Sequence, residues 1–409
     1  AAAKTWQNMR GLQSRFTSRD RFLQWQSKAV SSWIHNHARQ VDRFSQLPAG
    51  SSLENFPIME KADLMDDFSA YNIPRITAEE GWRAFGGTRM IGYWHVGAST
   101  GTSGNRGLFV ISDRERYLWL GAMLGKLLPS PWMKRERIAV ILPLHTRLYD
   151  AANDTLLLKL RFFDVTQGAE AWITDLEALN PTTIIAPPRM LRWLAENAAP
   201  FLNPDRIYSG AEVLDPIDTA VIESRWPARL GQIYMATEGV LGTTCPLGTL
   251  HLAEDLMHFE MEPAEGGLVT PIITDFRRTS QIMARYRMND LLRLAATPCK
   301  CGSPLTAVTE IVGRQDDCFT FKRGQTEHIV TPDVMRNAVL DSDRRIVDFR
   351  ILQIKEDVEL HLSNKLPAEA VQRANEGLKR LFLARGIDPQ IVTVQRELAP
   401  EKDRKLRRV

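Results

Sequence analysis

Apolar positions recur at helical spacing in RFLQWQSKAVSSWIHNHA, residues 21–38, and the first eighty residues read as mainly helical. Thr77 stands as an N-cap before AEEGW, and Ser112 opens a second helix, SDRERYLWLGAMLGKLL. Short β-rich runs then alternate with helices: RIAVILPL, a helix through Leu158, RFFDV, ITDLEAL, TTIIAPP and a helix RMLRWLAENAAPFL. Such alternation predicts an α/β fold, with a mostly parallel sheet and helices on both faces.

From Gln232 the texture changes. LGQIYMATEGVLGTTC, GLVTPIITDF and SQIMARYRMNDLLRL predict antiparallel strands joined by turns. A further break follows GRQDD. Beyond it DFRILQIKEDVELHLS predicts a hairpin, and AEAVQRANEGLKRLFLARG a helix with Val371, Ala374, Leu378, Leu381 and Phe382 on one face. IVTVQREL is a last strand. The expected organisation is a large multi-subdomain unit with mixed sheets over 1–313, a break at 314–317 and a small α+β unit over 318–409.

Composition narrows the function. Apolar residues are 44% of the chain and charged residues 25%, as in ordinary globular enzymes. A formal charge of +3 does not call for nucleic acid. The densest basic run, KDRKLRRV, reads on its own as a solvated tail. No apolar stretch reaches the roughly 20 residues that span a bilayer, so no membrane partner is expected. AAAKTWQNMR is not followed by an apolar block, and four cysteines make no disulfide framework, which leaves the cytoplasm as the default compartment.

Between the two strand-like ends of YWHVGASTGTSGNRGLFVIS, residues 93–112, lies a loop of small and hydroxyl side chains. It matches neither a Walker A loop nor GxGxxG. Exposed N–H groups and hydroxyls could still wrap a polyphosphate, with Arg106 adding a charge-assisted bond; an ordinary flexible connection is the alternative. Elsewhere Cys245, His251, Cys299 and Cys301 offer three thiolates and an imidazole, a set suited to structural zinc. Ordinary buried thiols with a surface histidine are the other reading. Cys318 stands outside the set as a core or hinge-side thiol.

Further segments give the loop a context. SGAEVLD (Ser209–Asp215), YMATE (Tyr234–Glu238), RYRMND (Arg285–Asp290) and GRQDD (Gly313–Asp317) follow it in order. Together they resemble the adenylate-forming superfamily of acyl-CoA synthetases and adenylation domains. CKCGS and CPLGTLHLAEDLMHFE are similar to its phenylacetate-CoA ligase and F390-synthetase-like branch, where related proteins carry a comparable zinc site.

The resemblance implies a large adenylate-forming domain with a small mobile lid domain. It implies that Ser99, Thr100, Gly101, Thr102, Ser103 and Gly104 hold the β- and γ-phosphates of ATP, with Arg106 standing where a lysine is customary. Gly210, Ala211 and Glu212 would lie on the adenine side, with Tyr234, Met235 and Ala236 beside the nucleotide. Thr237 would bind a phosphate oxygen and Glu238 Mg²⁺. Asp290 and Arg314 would meet the ribose, and Asp316 would be the hinge. Lys405, or its rival Lys402, would reach the carboxylate and α-phosphate, although Arg404 replaces the usual preceding glycine. His145, Tyr149 and Ser209 would line the acyl pocket, with Tyr93 or His95 on the approach.

The implied reaction activates a carboxylic acid, expected to be aromatic, with MgATP. It then transfers the acyl group to coenzyme A or to the phosphopantetheine of an acyl carrier protein. A non-catalytic nucleotide-binding or carrier-interacting homologue is the alternative, motivated by Arg106 and Arg404. A zinc hydrolase is excluded by ligand count, since four protein ligands leave no place for water.

Overall fold

The computed structural model describes residues 16, 18–99, 106–128, 135–142, 158–197, 202–226, 229–323, 326–398 and 408–409. Helix α1 (Arg19–Asn36) is capped by Ser18 and buries Phe22, Gln26, Val30, Trp33 and Ile34. Its polar contacts are long-range. The Gln26 amide donates to the carbonyls of Glu254 and Met257, and the Trp33 indole donates to the Arg278 carbonyl.

Beyond α1 the helical expectation for the first eighty residues gives way to short turns. Only α2 (Lys61–Asp66) and α3 (Ala78–Phe85) are α-helical there. Several of the apolar side chains in between, among them Phe44, Phe56, Phe68 and Tyr71, are buried on 3₁₀ turns or beside them. Thr77 caps α3 as expected: its hydroxyl accepts from Glu80 N–H while the Glu80 carboxylate accepts from Thr77 N–H.

Strands β1 (Met90–Ile91), β2 (Trp94–Ala98) and β3 (Leu108–Ile111) form an antiparallel sheet, and Ser112 then caps α4 (Asp113–Leu127). The parallel core follows. It consists of β4 (Glu136–Leu142), β5 (Leu158–Asp164), β6 (Thr183–Ala186), β7 (Arg206–Gly210) and β8 (Arg229–Ala236), in spatial order β5-β4-β6-β7-β8. Every residue of β6 is buried, as expected of a strand covered on both faces.

Helices α5 (Ile173–Leu179), α6 (Pro188–Asn197) and α7 (Pro216–Arg225) alternate with these strands. Leu176, Leu191, Leu194 and Ile222 pack from them against Ala139, Ile184 and Ile207 of the sheet. Two expectations are corrected here. Leu158 opens a strand rather than ending a helix, while 143–157 lie outside the described residues. ITDLEAL, grouped with the β-rich runs, is α5; its Leu176 and Leu179, three apart, both turn inward at helical spacing.

Strand β8 pairs on its other side with β9 (Gly239–Thr244), which is antiparallel to it and to β10 (Leu250–Leu252). The following strands are β11 (His258–Pro263), β12 (Val269–Thr274), β13 (Tyr286–Arg287), β14 (Asp290–Leu294) and β15 (Ala307–Arg314). SQIMARYRMNDLLRL thus contributes only β13 and β14, with most of its first half in irregular backbone.

The chain divides into two compact units: 1–262, 270–288 and 294–309 form one, and 263–269, 289–293 and 310–409 the other. In the second unit β16 (Phe319–Arg323) pairs with β17 (Thr326–Val330), and α8 (Pro332–Leu340) follows. The expected hairpin is β18 (Phe349–Ile354) and β19 (Asp357–Ser363), turned at Lys355 with φ 59°. Helix α9 (Ala368–Leu383) leads to β20 (Ile391–Arg396), parallel to β19. Ala374, Leu378 and Phe382 are fully buried; Val371 and Leu381 are partly so at the edge of the same core.

Candidate active site and cysteine cluster

In an open parallel sheet, ligands bind outside the carboxyl ends of the strands. Two of the sequence segments lie there. Ser209 and Gly210 close β7, and Tyr234, Met235 and Ala236 close the adjacent β8. Ala211 follows with φ 69°, a left-handed conformation that strains a residue with a β-carbon. The Ser209 hydroxyl is buried and has no hydrogen-bond partner among the described residues. An orphaned buried hydroxyl at a strand end is a group available to a ligand. Glu212 comes next in the chain. Its carboxylate lies 3.4 Å from the Arg189 guanidinium at the start of α6, so that side chain is occupied within the protein.

Thr237 and Glu238 form the turn from β8 to β9. A register shift at Tyr234–Met235 bends the strand before the turn, and Gly239 leaves it at φ 144°, where a side chain would be strained. A β-carbon on Gly239 would also stand 2.4 Å from the Met257 methyl. Tyr234 is buried, whereas Thr237 and Glu238 are half-buried. The Glu238 carbonyl accepts a 3.1 Å bond from Arg278. No described side chain engages its carboxylate, and a carboxylate oxygen is a donor of the kind that hard cations take.

The glycine-rich loop joins β2 to β3, and its stem is described. Ser99 N–H donates to Gly107 O at 2.8 Å, and Gly107 N–H donates to Ser99 Oγ at 2.8 Å. Arg106 Nε donates to the Ser99 carbonyl, and the guanidinium lies 5.3 Å from the Trp82 ring centre and 5.5 Å from that of Phe85. Arg106 therefore braces the loop's base. Thr100, Gly101, Thr102, Ser103 and Gly104 lie outside the described residues, as do His145, Tyr149, Lys402, Arg404 and Lys405. His95 is bonded to Asp113 at 2.8 Å, and Tyr93 is 89% exposed.

In the second unit, Asp290 and Arg314 are brought to 4.0 Å. Asn289 donates to the Asp316 carboxylate at 2.6 Å, and Gln315 N–H donates to the Asn289 carbonyl. The GRQDD segment thus ends β15 and passes into a 3₁₀ turn, Gln315–Asp317, tied to the start of β14. Burial, with four nearby carboxylates, pushes the Cys318 thiol up to about 12.

Cys245, His251, Cys299 and Cys301 converge, with all four candidate ligand atoms within 4.8 Å of one another. Cys245 Sγ is 3.9 Å from Cys299 Sγ, and Cys301 Sγ is 3.4 Å from His251 Nε2. Zinc bonds of about 2.3 Å to sulfur and 2.0 Å to nitrogen set tetrahedral edges of roughly 3.5–3.8 Å, so the cluster fits that ion. The outer contacts fit as well. Leu247, Cys301 and Ser303 N–H groups point at Cys245, Cys299 and Cys301 sulfur respectively, and His251 Nδ1 faces the Leu305 carbonyl at 3.0 Å. With Nδ1 donating there, Nε2 keeps its lone pair for a metal.

The sequence reading missed the charged partners that lie in or at the edge of the interior. Arg189 and Arg278 hold Glu212 and the Glu238 carbonyl, yet no local pattern marks either arginine. Glu115 could have been found, because Ser112-x-x-Glu115 spells a capping box.

No family model and no curated protein matches the chain. Solved structures do. A 2-hydroxyisobutyryl-CoA ligase in the postadenylation state, in complex with R3-HIB-AMP, aligns with TM-score 0.67 and 18% identity, covering 94% of this chain and 87% of its own. The same ligase with 2-HIB-AMP and CoA in the thioesterification state gives 0.53 and 20%, over 95% and 89%. An anthranilate-CoA ligase in complex with anthranoyl-AMP gives 0.53 and 12%, over 76% and 65%. At such identities the likeness is one of architecture, and the chain has the fold of the adenylate-forming ligases.

Proposed function

We propose that the protein is an acid–thiol ligase of the adenylate-forming superfamily. The reading rests on one observation above all: SGAEVLD and YMATE end adjacent parallel strands at the carboxyl edge of a sheet with this fold. A carboxylate substrate attacks the α-phosphorus of ATP, pyrophosphate leaves, and a thiol then attacks the acyl carbon and releases AMP. Such steps need alignment and charge stabilisation rather than a protein nucleophile.

Within that reading Ser99 and the loop after it cradle the terminal phosphates, with Arg106 keeping the stem closed. Thr237 donates to a phosphate oxygen. Glu238 holds Mg²⁺, which supplies Lewis-acid neutralisation of the phosphate charge. Asp290 accepts from the ribose hydroxyls beside Arg314, and Lys405 donates to the reacting oxygens once the 318–409 unit turns about Asp316. The acid fits the phenylacetate-CoA ligase-like branch and is aromatic. Coenzyme A is the favoured acceptor, with an acyl carrier protein as the competing one, and the cytoplasm is the setting.

Zinc at Cys245, His251, Cys299 and Cys301 is structural. Cys245 follows the end of β9 opposite Glu238, so the length of that strand, about 20 Å at the usual rise per residue, separates it from the proposed chemistry.

The test is acid-dependent ATP–pyrophosphate exchange over a panel of aryl and short acyl acids, repeated for thioester formation with coenzyme A and with a carrier protein. Exchange with an aryl acid and its loss, by about 10²-fold or more, in Lys405→Ala are expected. Tight ATP binding with no exchange for any acid would instead favour a non-catalytic nucleotide-binding homologue.

A further inference from the structure

The segment Asp275–Gln281, DFRRTSQ, belongs to none of the motifs above, yet it buries several polar side chains. Asp275, Arg278, Ser280 and Gln281 are each under 9% exposed. Its contacts run to several distant parts of that unit. Gln281 Oε1 accepts from Val110 N–H in β3, the strand leaving the glycine-rich loop. Glu115 on the first turn of α4 accepts from the N–H groups of Thr279 and Ser280, at 2.5 and 2.8 Å, and from the Ser280 hydroxyl. The same carboxylate accepts from Ser112 N–H and Oγ, both at 2.7 Å. The Arg278 carbonyl accepts from the Trp33 indole of α1.

Arg278 itself is aimed at the Thr237–Glu238 turn. One Nη donates to the Glu238 carbonyl at 3.1 Å and the other approaches the Met283 sulfur at 3.0 Å. Asp275 Oδ2 stands 3.6 Å from Nε, and Asp275 Oδ1 accepts from the N–H groups of Arg277 and Arg278. A guanidinium held at three points is a rigid donor, and rigid support is what fixes the position of a neighbouring ligand. The turn needs such support, because Gly239 follows Glu238 with φ 144° and constrains it little.

We propose that Arg278 is the positioning residue for Glu238. By pinning that residue's backbone carbonyl, it sets where the carboxylate presents itself to a divalent cation bound with nucleotide. Glu115, through Thr279 and Ser280, keeps Arg278 in register with the strand that leaves the phosphate loop. The inference rests on the nucleotide-binding reading of the Thr-Glu turn and adds a residue that the sequence motifs do not contain.

The experiment measures ATP binding as a function of Mg²⁺ concentration, by titration calorimetry on the full chain. Wild type, Arg278→Ala, Arg278→Lys, Glu238→Gln and the double variant Arg278→Ala/Glu238→Gln are compared, with a thermal unfolding midpoint for each. Arg278→Ala should raise the Mg²⁺ midpoint about tenfold, the scale of one lost bond from a charged donor. Arg278→Lys should recover part of that shift, since an ammonium can reach the carbonyl without holding the whole fork. If Arg278 acts through Glu238, the double variant matches Glu238→Gln alone; independent roles would multiply the two shifts. An unchanged Mg²⁺ midpoint in a folded Arg278→Ala, or multiplicative shifts, overturns the positioning role while leaving the ligase reading standing. Wild type that binds no ATP at any Mg²⁺ concentration overturns both.

Discussion

Cys299 and Cys301 stand two residues apart and are driven in opposite directions. The Thr249 hydroxyl 3.3 Å away, chiefly, holds the Cys299 thiol down at about 6, while burial pushes Cys301 up to about 11. A bound zinc ion would convert both to thiolates, so the metal-free cluster differs from the filled one in charge as well as in constraint. Purified protein should therefore carry about one zinc per chain, read by elemental analysis, and Cys301→Ser should lose it together with several degrees of melting temperature. Full melting stability after complete metal removal would speak against a structural ion.

Glu115 sets the second residue-scale prediction. Burial opposes its ionisation, but the bonds it accepts from Ser112, Thr279 and Ser280 outweigh that, and its pKa is lowered from 4.5. A carboxyl group with a depressed folded pKa contributes stability in full above its unfolded value and loses it as pH falls through the folded one. Below pH 4.5 the wild type should therefore weaken more steeply than Glu115→Gln. At neutral pH the amide, which brings donors against donors, should cost about 2–3 kcal/mol in urea unfolding. Parallel acid-side profiles would show that the carboxylate is not what holds these loops.

Among elements, those whose ends carry their own chemistry were legible in the sequence. Thr77 and Ser112 cap helices where the pattern placed them, and the β18–β19 hairpin and α9 follow their periodicity. ITDLEAL was not legible, because a short apolar run serves a buried strand and a helix equally until its neighbours are known. Nor were the turns between α1 and α3, whose aromatic residues are spaced by tertiary packing rather than by helical period.

The contact between α8 and α9 yields a test at this scale. A β-carbon on Gly377 would lie 2.4 Å from the Ala338 carbonyl oxygen, a backbone atom that can yield only if the helices part. Gly377→Ala should destabilise by about 1–3 kcal/mol despite alanine's better helix propensity. Equal or greater stability in chemical denaturation would mean the helices separate at little expense.

For the whole molecule, the relevant feature is that the second unit has a core of its own. Phe319, Phe321, Met335, Phe349, Leu360, Leu378 and Phe382 all join one apolar cluster drawn from residues after the GRQDD turn. A fragment of 318–409 should consequently fold by itself, with a cooperative melt and dispersed amide resonances. It should be less stable than 310–409 by about 1–3 kcal/mol, since Arg336 would lose its 2.7 Å partner Glu310. A fragment that stays unfolded in both versions would show that the apolar cluster does not suffice.

What the sequence determined alone was what nearest neighbours along the chain can decide: which runs can bury a face, where helices begin, and which short segments carry phosphate- and metal-seeking groups. The tertiary structure decided which of those groups meet. Ser209 and Thr237 are far apart in the chain and come to adjacent strand ends, and four ligands from two separate segments, 245–251 and 299–301, close on one another. It also chose the part-buried Arg189 and the buried Arg278 and Glu115, whose roles come from desolvation and from what faces them. No window of residues encodes those two quantities, because both depend on segments brought together only when the chain closes on itself.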